Sequence, residues 1–206
     1  MMAKAPPVDK RRQILDAAIH VFARQGFHAC RVSDIADEAG VAYGLVYHYF
    51  NSKDEVLNEL FTERWSLLLA AIEEVDGKAI GAREKLDAVA GFIIGSYRHD
   101  PELMKVIIIE VTRAANSFTR THLPEIRKAY ALIAKIVRDG QEEGTFRADV
   151  DPEFASMWFY GAIEQLLTGW VFEIIPDGDG DFERVRTMVV ETICRGLETG
   201  AADAAR

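Results

Sequence analysis

A short segment just after residue 42 is rich in aromatic and polar side chains that can bind a phosphate backbone. Tyr43, Tyr47 and His48 share one predicted helix, and Lys53 opens the next one. Phenol and imidazole groups donate hydrogen bonds to phosphate oxygens. The chemistry indicated by these residues is therefore recognition of a polyanion such as DNA, rather than a covalent reaction.

Signals for catalysis or metal binding fail when their spacing is checked. The segment 176–183 alternates Asp177, Asp179 and Asp181 like a calcium loop, but Phe182 replaces the required glycine. The five histidines show no pairing at metal-ligand spacing. Neither a nucleophile elbow nor a phosphate-binding or dinucleotide-binding glycine loop is present. We expect no catalytic residue, no metal site, no cofactor and no enzymatic activity.

Two short helices must position the aromatic segment. They are predicted over residues 32–39 and 42–49, and Gly40 provides the tight turn between them. Apolar residues spaced to lock the two helices together are Ile35, Ala36, Val41 and Val46. This pattern predicts a helix-turn-helix whose second helix is free to enter a major groove. The alternative is a plain helical hairpin in which the aromatics form core, although their density, with Tyr49, Phe50 and a histidine, is unusual for core alone.

The charge distribution is asymmetric in a way that suits a DNA-reading head on an acidic body. The net charge is −9, but residues 1–53 contain seven Lys/Arg and five Asp/Glu, a net of +2, which leaves −11 for the rest. An acidic body suppresses non-specific adhesion to nucleic acid. Because an excess of +2 is small, charge by itself does not establish the partner.

Helical periodicity continues through the remaining chain, and sustained strand alternation is absent from the sequence. The sequence predicts an all-α fold of about nine helices, with a head at residues 1–53 and a regulatory, dimerising body at residues 54–206. Pro101, Pro124 and Pro152 are predicted to open helices, because proline is tolerated in a first turn. We place the other helices at 8–25, 53–76, 82–98, 101–116, 124–143, 152–175 and 182–199.

Compartment signals are weak but consistent. The two cysteines, Cys30 and Cys194, are far apart and form no disulfide framework. The N-terminus has charge without an apolar stretch, so it does not match a secretory signal. No apolar run reaches the roughly 18–20 residues of a membrane helix. A cytoplasmic location without a membrane partner is therefore expected.

The stretch VSDIADEAGVAYGLVYHYFNSKDEVL, residues 32–57, resembles the DNA-binding domain of the TetR family of transcriptional regulators. A second family-like stretch is EEGTFRADVDPEFAS, residues 142–156. The resemblance implies the all-helical fold, a double-stranded DNA operator as partner, and a homodimer formed by the last two helices.

The resemblance also implies roles for individual residues. Facing the bases at the start of the recognition helix would be Ala42, Tyr43, Gly44 and Leu45. Tyr47, His48 and Lys53 would contact phosphates, and Arg31 and Ser33 belong to the same DNA-binding set. Many members have Thr at position 31, and arginine can keep the phosphate contact but cannot cap the helix. Many also have Ser-Lys-Gly where this chain has Ala42-Tyr43-Gly44, which favours apolar contact with thymine methyls. Lys10, Arg11 and Arg12 are either a DNA-contacting arm or a solvated helix start.

The body resembles, less specifically, TetR-family regulators of fatty-acid degradation that respond to long-chain acyl-CoA. The similarity lies in IEVTRAANSFTRTHLPEIRKAY and WFYGAIEQLLTGWV, residues 109–130 and 158–171. It implies a tunnel for a small apolar effector, with the nearby arginines Arg113, Arg120 and Arg127 holding CoA phosphates. The residues expected to bind this ligand are Phe92, Tyr97, Ile108, Val111, Arg113, Phe118, Phe159 and Ile163. The alternatives are ordinary core packing for the apolar residues and, for the arginines, exposed pairs with Glu110 and Glu125 at helical spacing. We expect Gly161 and Gly169 to permit close helix packing.

Taken with the resemblance, the sequence leads to a ligand-responsive repressor. Two recognition helices, about 34 Å apart in a dimer, would enter successive major grooves of a palindromic operator. An apolar effector such as a long-chain acyl-CoA would release the DNA. The competing hypothesis is a helical enzyme or acyl-binding carrier without a DNA role. Activation instead of repression is left open by the sequence.

Overall fold

The structure is a computed structural model that describes residues 9–113 and 118–198, without the side chains of residues 110–113, 118–120 and 179. Over these residues it is all-α, as predicted, and contains nine helices. Their bounds are α1 Lys10–Gln25, α2 Val32–Glu38, α3 Tyr43–Tyr49, α4 Lys53–Asp76, α5 Ala82–His99, α6 Pro101–Arg113, α7 Phe118–Glu142, α8 Pro152–Val171 and α9 Asp179–Leu197. Within the described residues, no helix has the length and apolarity needed to cross a membrane.

Capping groups explain several helix ends. The Asp9 carboxylate accepts from the backbone N–H groups of Arg11 and Arg12, which fixes the start of α1. Asp151 caps α8 in the same way, with Pro152 in the first turn as predicted. Side-chain oxygens thus satisfy amide groups that have no partner inside the helix.

Three predicted helix ends are wrong. Helix α7 begins at Phe118, so Pro124 lies inside the helix and does not open it. Helix α8 ends at Val171 rather than 175, because the next residues turn back and Glu173 adopts a φ of 55°. Helix α9 starts before Phe182, where the Asp181 carboxylate accepts from the Gly178 N–H at 3.2 Å.

The described chain divides into two compact units. The first contains α1–α3, α4 up to Glu63, and Glu102–Arg113 of α6. The second contains Arg64–Pro101 and the described residues from α7 onward. The border between the units therefore lies inside α4, whereas the functional border at 53/54 stays a prediction.

The first unit is built around the apolar face of α1. Ile14, Leu15 and Ala18 are fully buried there, and Phe22 packs edge-on against Phe27 with ring centroids 5.3 Å apart. From the other helices, the same unit buries Ile35, Ala36, Val46, Phe50, Val56, Leu60 and Phe61. Phe50 is therefore a core residue. The prediction counted it among the aromatic residues whose density is unusual for a core, and for Phe50 that was wrong.

The second unit has its own core between α5, α7, α8 and α9. Tyr97, Trp170 and Phe182 form an aromatic cluster, with Tyr97 and Trp170 ring centroids 5.2 Å apart. Gly140 permits close approach, since a Cβ there would come within 2.6 Å of the Phe146 ring and 2.7 Å of Ala82. Other fully buried side chains of this unit are Ile72, Leu86, Ile133, Ile136, Phe159 and Ile163.

Candidate nucleic-acid interface and effector region

The turn between α2 and α3 fixes the recognition geometry. Gly40 has a φ of +60°, a left-handed conformation that favours glycine. The Gly40 N–H donates to the Asp37 carbonyl at 3.1 Å, and the Val41 N–H donates to the Ala36 carbonyl at 3.0 Å. Val46 then anchors α3 in the core at 1% exposure. One face of α3 is thereby held by packing, and the opposite face is left to solvent.

The outward face of α3 carries a hydrogen-bonded tyrosine pair. Tyr43 and Tyr47 are 53% and 44% exposed, and their hydroxyl oxygens lie 3.1 Å apart. The rings meet edge to face with centroids 5.1 Å apart, a favourable arrangement for aromatic side chains. The hydrogen bond between the two hydroxyls raises the pKa of Tyr47 above its ordinary value. The neighbouring His48 is also exposed.

The remaining predicted base contacts surround this pair. Ala42 and Gly44 are exposed, and a Cβ on Gly44 would meet only open space. Leu45 is half-buried. The structure thus places the predicted base contacts on α3 and its N-cap residue Ala42, where small residues flank two large aromatic side chains.

Arg31 and Ser33 lie at the start of α2. Arg31 is exposed and makes no side-chain cap, as its type predicts. Its backbone N–H instead donates to the Asp34 carboxylate at 2.7 Å, which stabilises the first turn of α2. Ser33 is half-buried. The Arg31 guanidinium therefore faces solvent, because the start of α2 is stabilised without it.

Lys53 has a structural role that its sequence position did not indicate. Its ammonium group donates to the carbonyls of Phe27, His28 and Cys30 at 2.7, 3.3 and 3.0 Å, and it lies 4.7 Å from the Phe27 ring centroid. All three ammonium hydrogens have acceptors in the loop between α1 and α2. A phosphate contact by Lys53 stays a prediction, and it would have to compete with these bonds.

The basic residues at the start of α1 are engaged by polar side chains of the same unit, and the two arginines pair with acids. Arg11 pairs with Glu59 at 2.5 Å, and Arg12 pairs with Asp16 and Glu63 at 2.8 Å each. Lys10 donates to Gln13 at 2.9 Å. These contacts favour the helix-start alternative over a DNA-contacting arm.

The predicted effector residues do not fall into a single compact unit. Phe92, Tyr97, Phe159 and Ile163 belong to the second unit, and the last two are completely buried. Ile108 is buried in the first unit. The side chains of Val111, Arg113, Phe118 and Arg120 lie outside the described residues. Their role as ligand contacts, like that of the others, stays a prediction.

A buried polar group in the second unit was missed by sequence reasoning. Arg64 is 7% exposed, and its guanidinium carbon lies 5.1 Å from the Phe92 ring centroid. Burial lowers the pKa of Arg64 and raises the pKa of Tyr130, Tyr160 and Glu164 nearby in this unit. Helical periodicity could have indicated that Arg64 is buried, because Arg64 lies four residues before Leu68 and so shares the apolar face of α4.

The outward faces of α8 and α9 form an apolar surface. Between the two helices lies a groove of about 210 Å³ lined by Ala162, Leu166, Val185, Met188, Val189, Thr192 and Ile193. Phe154 and Trp158 continue the α8 stripe at four-residue spacing and are exposed. A Cβ added to Gly161 would meet only open space, whereas a Cβ added to Gly169 would lie 3.1 Å from the Ile175 side chain, so the absence of a side chain at Gly169 makes room for Ile175 of the same chain. Among the described residues, no group of acidic, histidine or cysteine side chains could hold a metal ion.

Comparisons with known proteins find matches for both the N-terminal and the C-terminal part of the chain. Residues 14–60 match the family described as bacterial regulatory proteins, tetR family, and residues 61–194 match the C-terminal region of YsiA-like proteins. The fatty acid metabolism regulator protein of Bacillus subtilis is 32% identical over 189 residues, which cover 91% of this chain and 95% of that protein.

Two solved structures extend the agreement to the whole fold. The fatty acid degradation regulator FadR from Bacillus halodurans has a TM-score of 0.83 at 28% identity, covering 95% of this chain and 98% of its own. FadR from Bacillus subtilis, solved in complex with stearoyl-CoA, has a TM-score of 0.80 at 28% identity, covering 91% of this chain and 99% of its own. The chain therefore belongs to the TetR family of transcriptional regulators, which are not enzymes, and its body is similar to that of the FadR-type fatty acid regulators.

Proposed function

We propose that the protein is a homodimeric repressor that binds a near-palindromic operator and is released by a long-chain acyl-CoA. The single observation that carries the DNA step is the outward face of α3. Tyr43, Tyr47 and His48 are exposed there, while Val46 anchors the helix from behind. A short helix held in this way presents donors to a major groove without having to order itself first.

The predicted contacts divide by chemistry. Ala42, Tyr43, Gly44 and Leu45 would face base edges, where small residues permit close approach and the Tyr43 ring suits a thymine methyl. Tyr47, His48 and Arg31 would donate to phosphates, and Ser33 would assist from α2. Lys53 would contribute mainly by holding the loop between α1 and α2, because its donors are occupied by backbone carbonyls.

Dimerisation would cover the apolar surface of α8 and α9. Met188 is 60% exposed beside the groove between these helices, and Trp158 lies on the same α8 stripe as Ala162 and Leu166. An exposed apolar surface of this kind marks a protein interaction site. Replacing Met188 with Glu should give a folded monomer in light scattering, and Leu67→Glu on the exposed side of α4 is the matched control. A Met188→Glu protein that remains dimeric would contradict this assignment.

The acyl-CoA effector is supported by similarity and by the chemistry of the second unit. The regulator with stearoyl-CoA bound covers nearly this whole chain. In this chain the second unit combines a large apolar core with one strongly buried guanidinium, Arg64, beside Phe92. Such a mixture suits a ligand with a long apolar chain and polar or anionic groups at one end.

The DNA step is tested by selection from a random DNA library, followed by gel shifts on the selected sequence. We expect a palindrome with half-sites one helical turn apart and a salt-sensitive shift. Tyr43→Ala should lose the specific shift while the protein keeps its melting temperature. Recovery of no preferred sequence by the wild-type dimer would overturn the DNA step.

The effector step is tested by titrating acyl-CoA esters of increasing chain length into the protein–DNA complex. We expect dissociation by long chains at micromolar levels or below, on the order of pocket affinities, and free CoA is the control. An effector releases DNA only to the extent that it prefers the non-binding conformation. Binding of the ester without loss of the shift would instead identify an acyl carrier. In cells, derepression of a reporter after deletion of the gene distinguishes a repressor from an activator.

A further inference from the structure

The tyrosine pair on α3 supports a further inference, which rests on the proposed DNA-binding role. Tyr43 and Tyr47 are four residues apart, so their side chains lie on one face of the helix. Their hydroxyl oxygens are 3.1 Å apart and their rings pack edge to face. Two exposed side chains that bond to each other in this way have far fewer orientations than two independent ones.

We propose that Tyr43 and Tyr47 act on DNA as a single unit, in which Tyr47 is a positioning residue that aims Tyr43 at a base edge. The ligand chemistry is a hydrogen-bond acceptor in the major groove, such as thymine O4 or a purine N7. Tyr47 thereby determines which base is preferred, and this role replaces a donation to phosphate, because its single O–H is given to the Tyr43 hydroxyl.

Donor counting supports this coupling. Each phenol has one O–H, and one of the two is spent on the bond between the hydroxyls. The pair therefore offers the DNA one remaining donor, whose direction depends on both rings. Losing either hydroxyl frees the other ring from its partner, so both substitutions remove the same aligned donor.

Burial supports it as well. Both rings are about half exposed, and the helix beneath them is anchored by Val46 rather than by the tyrosines. The orientation of Tyr43 is thus fixed by Tyr47 more than by the core. The raised pKa of Tyr47 is consistent with a bond that persists in the neutral state.

The test is a double-mutant cycle measured on a panel of operators. Dissociation constants are determined by fluorescence anisotropy for the selected operator and for every single base change in one half-site. The proteins are wild type, Tyr43→Phe, Tyr47→Phe and the double variant, all as full-length dimers. Tyr49→Phe, a half-buried tyrosine on the same helix, is the matched control.

Coupling predicts that Tyr43→Phe and Tyr47→Phe each reduce discrimination at the same base pair by about fivefold, the scale of one hydrogen bond. The double variant should lose about fivefold as well, rather than the twenty-fivefold of independent contacts. Tyr49→Phe should keep the wild-type profile. In a measurement without DNA, NMR of tyrosines labelled at Cζ should find the pKa of Tyr47 lowered toward its ordinary value by Tyr43→Phe.

Two results would overturn the coupling. One is a uniform loss of affinity across the panel for Tyr47→Phe, which is the signature of a phosphate contact alone. The other is multiplication of the two single effects in the double variant. A wild-type protein that prefers no sequence would contradict the DNA-binding role itself and this inference with it, so the wild-type measurement separates the two failures.

Discussion

Helices α3 and α8 both turn aromatic side chains outward, and they differ in what those side chains carry at their tips. On α3, Tyr43 and Tyr47 end in hydroxyl groups that bond to each other. On α8, Phe154 and Trp158 stack with centroids 6.5 Å apart, next to the exposed Met157. Hydroxyl tips suit a hydrated anionic partner, whereas an apolar stripe suits the surface of another protein. Exposure alone does not distinguish the two surfaces, but the polarity of the tips does.

The largest expected effect tests the α8 surface. Trp158→Ala should weaken the homodimer by about 2–4 kcal/mol, a loss of at least thirtyfold, because tryptophan at an interface contributes disproportionately to binding. Sedimentation over a concentration series measures the change. Leu67→Ala, at a similarly exposed site on α4, is the control and should leave the dimer intact. An unchanged dimer in Trp158→Ala would mean that the aromatic end of α8 lies outside the interface.

The next effect tests whether Lys53 stabilises the first unit rather than binding a phosphate, which would leave the neutral donors of α3 to make the DNA contacts. Lys53→Met should destabilise the first unit by about 2–3 kcal/mol, since it removes charge-assisted bonds to three loop carbonyls. Thermal unfolding measures the loss. Lys78→Met is the control, because the Lys78 ammonium group forms an exposed pair with Glu74 of α4, and pairs of this kind contribute little to stability. If the melting temperature stays constant while the salt slope of DNA binding falls by about 1, Lys53 is a phosphate contact instead.

A smaller effect is expected when a charge is added to α3. Tyr43→Lys should steepen the dependence of log affinity on log salt by about 0.9, one further phosphate neutralised. That slope corresponds to about a threefold greater loss of affinity between 50 and 200 mM salt. The same substitution should also end the preference for the base that Tyr43 contacts. An unaltered slope would contradict this prediction, because it would mean that a lysine at position 43 neutralises no phosphate of the operator.

The smallest effect compares a buried histidine with an exposed one. Burial lowers the pKa of His122, because the imidazolium form loses hydration. The unfolded chain takes up this proton near its ordinary pKa of about 6.5, so the contribution to stability is complete above that pH and decreases below it. Unfolding between pH 5 and 8 should therefore show a shallower acid loss in His122→Gln. His99→Gln, at an exposed site of the same unit, should behave like wild type.

Local pattern was sufficient to predict the helices and the recognition turn. Gly40 and the buried positions Ile35, Ala36 and Val46 follow from helical spacing and turn chemistry alone. Helix ends were less predictable, because they depend on particular bonds. Nothing in the periodicity near Pro124 says that α7 already begins at Phe118, or that Asp181 extends α9 to Asp179.

Roles of individual polar residues were harder to foresee than their positions. Lys53 follows the recognition helix in sequence, yet its three acceptors lie more than twenty residues earlier in the chain. Arg64 occupies an apolar register position, and only the folded unit reveals that it is buried beside Phe92. Long-range contacts decide such roles, and periodicity carries no information about them.

The neutral recognition helix has a consequence for how the protein is distributed along a chromosome. A chromosome offers millions of competing non-specific sites, whose affinity comes almost entirely from cations on phosphates. This chain has a net charge of −9, and Arg11, Arg12 and Lys53 are engaged by its own acids and carbonyls. On the proposed function, we therefore expect little of the protein to be bound to random DNA. If the protein is the repressor proposed above, a small number of copies per cell would keep the operator occupied, and a modest rise in effector would empty it.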